Sequence, residues 1–196
     1  MENFDWGYVI SVVIGFVSSY FVILLQSSTA SRKGKEKKKI DCIIRIDGLF
    51  SSFIDNIAGK FGAQAGRSYD WAIINSNETN SLPTLQEQTF NRYIEGGNFI
   101  NEYVKRADES KRQLLDCVST ISYFNNCKCS DIIRKISCMD YVNDELKELL
   151  KRLWRSNTIA EANENLNSCN KKIESICDEN KEYFETVKER LLEKGK

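Results

Sequence analysis

Seven cysteines, at positions 42, 117, 127, 129, 138, 169 and 177, are the residues of this 196-residue chain best suited to chemistry, and no histidine accompanies them. Lack of histidine removes Ser-His-Asp and Cys-His catalysis, His-Glu zinc motifs and every histidine-dependent metal site. No spacing of residues supplies another base for a serine, cysteine or lysine nucleophile. The expectation is therefore a protein that is not an enzyme and carries no cofactor.

Among the thiols, Cys127-Lys128-Cys129 falls in a predicted turn, with Cys117 and Cys138 on the helices either side. Four thiolates there would bind zinc or respond to oxidants. The spacing is irregular and lacks a C-x-x-C knuckle, so free thiols are the simpler reading. In a reducing compartment thiols stay unpaired, and an odd count cannot pair fully within one chain. Cys117 and Cys169 fall at heptad core positions, where cysteine acts as a small hydrophobe.

A second stretch, residues 59–68 (GKFGAQAGRS), has the glycines and the cation of a phosphate-binding loop but fails the pattern. Gly62 to Gly66 is one residue short, Arg67 stands where lysine is required, and an amphipathic helix precedes it in place of a strand. A helix fraying into glycine caps explains it better. Asn77-Glu78-Thr79 matches the N-glycosylation acceptor pattern and would be inert on a cytoplasmic segment.

The elements that carry these residues read as helices. A single proline, Pro83, and few glycines argue against a strand-and-turn architecture. Ile40, Ile43, Ile44, Ile46, Phe50, Phe53, Ile54, Ile57 and Phe61 step by three and four, predicting a helix over 40–66 that weakens at its glycines. A short apolar patch (Tyr69, Trp71, Ile73, Ile74) follows, and 75–84 reads as a loop. Tyr93, Gly96, Ile100, Tyr103, Ala107, Ser110, Leu114, Cys117, Ile121 and Phe124 keep a seven-residue spacing within a helix over 85–124. Ser130 is a candidate cap for a helix over 130–156. Thr158 caps a last helix, 158–193, whose Ile159, Ala162, Leu166, Cys169, Ile173, Ile176, Asn180, Tyr183 and Val187 occupy a and d positions. Cys177, Phe184 and Leu191 widen that stripe, as suits a helix packed in a bundle. The fold expected is all-α: a single N-terminal transmembrane helix followed by an elongated, coiled-coil-like antiparallel bundle over 40–196.

The membrane expectation rests on residues 6–25, twenty residues without charge or proline, twelve of them Val, Ile, Leu or Phe. Twenty helical residues span about 30 Å, the thickness of a bilayer's hydrocarbon core. Trp6, Tyr8 and Tyr20 are candidate aromatic anchors. A cleaved signal peptide is the rival, with Ser28-Thr29-Ala30 as its cut site. Glu2 and Asp5 stand where such a peptide wants positive charge, and the apolar run is too long.

The segments are then a short outer N-terminus (1–5), the span (6–26), a basic linker (27–39) and a cytoplasmic body. Arg32, Lys33, Lys35, Lys37, Lys38 and Lys39 follow the span and nothing basic precedes it, so the body faces the cytoplasm of a cell or bacterial inner membrane. That cluster is first a topology signal, with anionic lipid as a second role. From residue 40 onward 22 basic and 25 acidic residues leave a net of −3, which excludes a nucleic-acid partner read from cationic excess. Gly7, Ser11, Gly15 and Ser19 recur every four residues, a stripe that lets two spans pack closely. The function expected is a membrane-anchored interaction or scaffold protein that oligomerises or docks a protein partner. A membrane-tethered cysteine-based redox or metal sensor is one alternative, and an effector that oligomerises through its span is the other.

Overall fold

The computed structural model describes residues 6–78, 83–125 and 128–192, with side chains from residue 31 onward. Within them the chain is all-α, with no strand. Its helices are α1 (Trp6–Asn75), α2 (Pro83–Asn125), α3 (Ser130–Cys138), α4 (Asp144–Trp154) and α5 (Ile159–Leu192). The chain divides into two compact units, Met1–Asp41 and Cys42–Lys196.

In the first unit the backbone from Trp6 onward is helical. Among the described residues no helix is long and apolar enough to cross a membrane. The expected span, with its Gly7, Ser11, Gly15 and Ser19 stripe, lies outside the residues whose side chains are described. Residues 1–5 lie outside the described residues altogether.

The second unit is a helical bundle around one apolar core. Its part of α1 buries Cys42, Ile46, Phe50, Phe53, Ile54, Ile57, Phe61 and Ala65, a stripe of three- and four-residue steps. The widened stripe of α5 is buried along its length, from Ala162 through Cys169, Ile173, Ile176, Cys177, Asn180, Phe184 and Val187 to Leu191. Phe50 and Phe184 stack across the two helices with ring centroids 3.7 Å apart. Burying such side chains contributes about 1.5–3 kcal/mol each, which outweighs the weak propensity of the β-branched and aromatic residues in these helices.

Three local readings differ from the sequence expectation. First, α1 does not weaken at residue 66 but continues to Asn75, so the Tyr69–Ile74 patch belongs to its last turns. Each interior glycine costs about 1 kcal/mol, but Ala65, Ala72 and Ile73, all buried beyond the first glycines, extend the apolar stripe and hold the helix. Second, Pro83 is not in the loop but is the first residue of α2, where its missing N–H would have had no helical partner.

Third, the helix expected over 130–156 is broken into α3 and α4. Ser130 is the first helical residue; Cys129 occupies the cap position and makes no side-chain cap bond. The Asn143 side chain accepts the Leu146 N–H at 2.8 Å and starts α4, with Asp144 and Glu145 in its first turn. Asp140, in the break, is held by two lysines. Lys60 donates to its carbonyl at 2.7 Å, and the Lys111 ammonium lies 2.9 Å from its carboxylate. At α5, Thr158 caps as its type suggests, accepting the Glu161 N–H at 3.2 Å while the Glu161 carboxylate accepts the Asn157 N–H at 2.9 Å.

Candidate functional site

The thiols do not form a metal-binding group among the described residues, where no set of three or more Cys, His, Asp or Glu side chains could hold an ion. Cys117, on α2, is buried beside Cys42 of α1. Burial first, and then the hydrogen bond with Cys42, push its pKa up to about 12. Burial also raises Cys169 and Cys177. These groups stay neutral thiols at physiological pH, the unreactive form. Cys129 is half-buried and Cys138 exposed; Cys127 lies outside the described residues. All six described cysteines are free.

Residues 59–68 are helical throughout, so the glycines there cap nothing and form no phosphate loop. Gly59 has a packing reason instead. A β-carbon at that position would clash with the ring of Tyr103 on α2, so glycine lets the two helices approach. At Gly62 and Gly66 a β-carbon would meet nothing within 4 Å. The basic cluster, within the first unit, is solvent-facing: Arg32, Lys33, Lys35, Lys37 and Lys38 are exposed and Lys39 half-buried, with Glu36 3.7 Å from Arg32. Asn77 is exposed, while Thr79 of its glycosylation pattern lies outside the described residues.

The most site-like feature of the second unit is a cavity of about 830 Å³ between α1, α2 and α4. From α1 it takes Gln64, Arg67 and Ser68; from α2, Ile100; from α4 and its C-terminal cap, Lys147, Leu150, Lys151, Trp154 and Arg155; Val142 of the α3–α4 connection completes the lining. Lys147, Lys151 and Arg155 recur every four residues and share one helix face with Trp154. Four of the ten lining residues are cations and none is acidic.

Arg67 is the best-placed of the four. Its guanidinium lies 4.5 Å from the centroid of the Tyr93 ring, and Nη2 donates to the Tyr93 hydroxyl at 3.2 Å. Gly96 and Gly97 of α2 lie beside it, where a β-carbon would make ordinary contact with Arg67 at 3.4 and 3.7 Å. Among the described residues its buried Nε has no hydrogen-bond partner, and neither has the buried Oε1 of Gln64. An orphaned donor and an orphaned acceptor, each costing about 1–3 kcal/mol of desolvation, therefore belong to side chains of the same cavity. Trp154 stacks on Trp71 with centroids 4.7 Å apart and remains two-fifths exposed.

Sequence reasoning missed this cavity because its residues come from three helices. The one local signal was the repeat of Lys147, Lys151 and Arg155 beside Trp154.

A second feature lies on the N-terminal half of α2, where Phe90, Ile94 and Phe99 are 51, 51 and 53% exposed. Phe90 and Ile94, four residues apart, share a face. No protein-family model matches the chain, and no curated protein and no solved structure is similar to it.

Proposed function

We propose that the chain is a single-pass, membrane-anchored helical scaffold that docks a protein partner or a second copy of itself, without catalysing a reaction. In this reading residues 6–25 form the anchor, the lysine-rich segment behind them keeps the body on the cytoplasmic side, and the Gly7, Ser11, Gly15 and Ser19 face pairs spans in lipid. The bundle is taken as an antiparallel up-down arrangement, because connections as short as the one from α4 to α5 favour antiparallel neighbours.

The observation that carries the docking is the pair Phe90 and Ile94, each 51% exposed and four residues apart on one face of α2. Single exposed apolar side chains are ordinary, but two large neighbours on one helix face leave a surface that a partner would cover favourably.

Crosslinking in native membranes tests the reading. Wild-type chain should give a discrete adduct, with itself or with one partner, and the Phe90→Ser/Ile94→Ser variant should lose it while remaining in the membrane fraction. A chain that stays monomeric without a co-purifying partner removes the docking. Recovery of full-length protein in the salt-washed soluble fraction removes the anchor.

A further inference from the structure

The cavity between α1, α2 and α4 has no part in that scaffold reading, yet two of the three buried side-chain polar atoms without a partner among the described residues belong to its lining. Cations at the end of α4 have an ordinary explanation, since positive charge near a helix C-terminus is favourable. That explains Lys151 and Arg155. It does not explain Arg67, which comes from another helix and has a buried, unpartnered Nε. Nor does it explain why an unpartnered acceptor, Gln64 Oε1, lies in the same lining.

Taken together, the lining sets four requirements on an occupant. It must be anionic, because Arg67, Lys147, Lys151 and Arg155 face no acidic residue in the lining, and among the described residues only Lys151 has an acidic partner just outside it, Glu148 at 2.6 Å. It must also carry an N–H or O–H donor, because Gln64 Oε1 is an acceptor and a bare phosphate would only repel it. It needs an acceptor for Arg67 Nε. A planar or apolar body is needed against Trp154, Leu150 and Ile100. A volume of about 830 Å³ suits a small organic molecule, for which pockets run to about 300–1,000 Å³.

We propose that the cavity binds a nucleotide. Lys147, Lys151 and Arg155 hold the phosphate, and the base stacks on the indole of Trp154. Gln64 and Arg67 pair with the donor and acceptor on the base edge or the ribose. Aromatic stacking and charge-assisted phosphate contacts are the two interactions that recognise nucleotides elsewhere. Tyr93 preorganises the site by fixing the Arg67 guanidinium.

Calorimetric titration of the full chain, in phosphatidylcholine nanodiscs that carry no anionic lipid, decides the matter. ATP, GTP, CTP and UTP are titrated separately, beside adenosine, inorganic phosphate and vesicles containing phosphatidylglycerol. At least one nucleotide should saturate one site and quench tryptophan emission. Adenosine and phosphate alone should each bind at least about tenfold more weakly, since each forfeits one of the two interactions. Lys147→Gln/Arg155→Gln should weaken the nucleotide by about tenfold or more at unchanged Tm. Both side chains are exposed and make no ion pair among the described residues. Trp154→Leu should remove the quench. The proposal is overturned by no saturable response to any nucleotide at millimolar concentration, by affinity unchanged in the double variant, by phosphate binding as tightly as the nucleotide, or by a response to acidic vesicles alone. A monomeric chain in the crosslinking experiment leaves these outcomes unaffected, so the two readings fail separately.

Discussion

In the C-terminal half of α2, Ala107, Leu114, Cys117, Val118 and Ile121 are buried in a core shared with α1, α3, α4 and α5. In its N-terminal half, Tyr93, Gly96, Ile100 and Tyr103 occupy the same heptad positions but are only partly covered, and Phe90, Ile94 and Phe99 stand in solvent. One helix and one repeat thus give two outcomes. A heptad stripe specifies which face can be buried, whereas burial itself needs side chains opposite it. Where α4 ends at Trp154 the facing residues become cationic and aromatic, and a cavity opens in place of a closed core.

The largest expected contrast between the halves is in side-chain truncation. Leu114→Ala removes a fully buried side chain and should cost about 2–5 kcal/mol. Ile94→Ala, on the same helix, should stay within about 0.5 kcal/mol. Urea denaturation of both variants measures the difference. Equal losses would mean that the exposed half is covered in solution and that the contrast is false.

Ion pairs should show the same contrast at a smaller scale. Lys111 and Asp140 are 19% and 10% exposed at 2.9 Å, and the second carboxylate oxygen of Asp140 has no partner. Lys111→Met strands that carboxylate and should cost about 2–3 kcal/mol, somewhat below a fully buried pair because Lys60 remains beside Asp140. Arg92, 58% exposed, belongs to the open half and lies 3.4 Å from Asp70, whose side chain is 13% exposed, so here the cation and not the carboxylate is screened by solvent. Arg92→Met should cost less than about 1 kcal/mol. Thermal unfolding in low and high salt separates the two, with salt dependence expected only for the wild-type Arg92 contact.

Glycines sharpen the boundary where α1 meets the middle of α2. Gly59→Ala forces Tyr103 aside and should cost about 1–3 kcal/mol. Gly62→Ala, three residues on, meets open space and should stabilise by about 0.5–1 kcal/mol through helix propensity alone. A stabilising Gly59→Ala would show that the helices do not approach there.

Much of the bundle was legible in the residues because period is a local property. Most of the α5 stripe, including its widening at Cys177, Phe184 and Leu191, is buried as the spacing predicts, with Ile159, Leu166 and Tyr183 half-buried. The Thr158 cap was visible for the same reason. What spacing misjudged was competition between local and distant terms. Glycines at 59, 62 and 66 weaken a helix locally, but burial of Ala65, Ala72 and Ile73 carries it onward. The single helix expected over 130–156 overlooked the α3–α4 break, although Asn143 followed by Asp144 and Glu145 is a start signal that could have found it. The cavity was not legible at all, because Gln64 and Arg67 meet Trp154 and Arg155 only through the tertiary fold.

The smallest predicted effect concerns Asp70 of α1, which faces Arg92 in the open half of α2, and its sign tests how open that contact is. Burial pushes its carboxyl above the ordinary range, and the nearby Arg92 offsets only part of this. The native state therefore prefers the protonated form. That preference contributes fully below the unfolded pKa of about 3.9 and is lost as pH rises through the higher folded value. Asp70→Asn keeps the shape and an acceptor for Arg92 but never ionises. Its Tm should match wild type at pH 3 and exceed it at pH 7, by an amount equivalent to less than about 1 kcal/mol. Were the variant less stable at pH 7, attraction to Arg92 would outweigh desolvation, and the first half of α2 would be held by charge more than its exposure suggests.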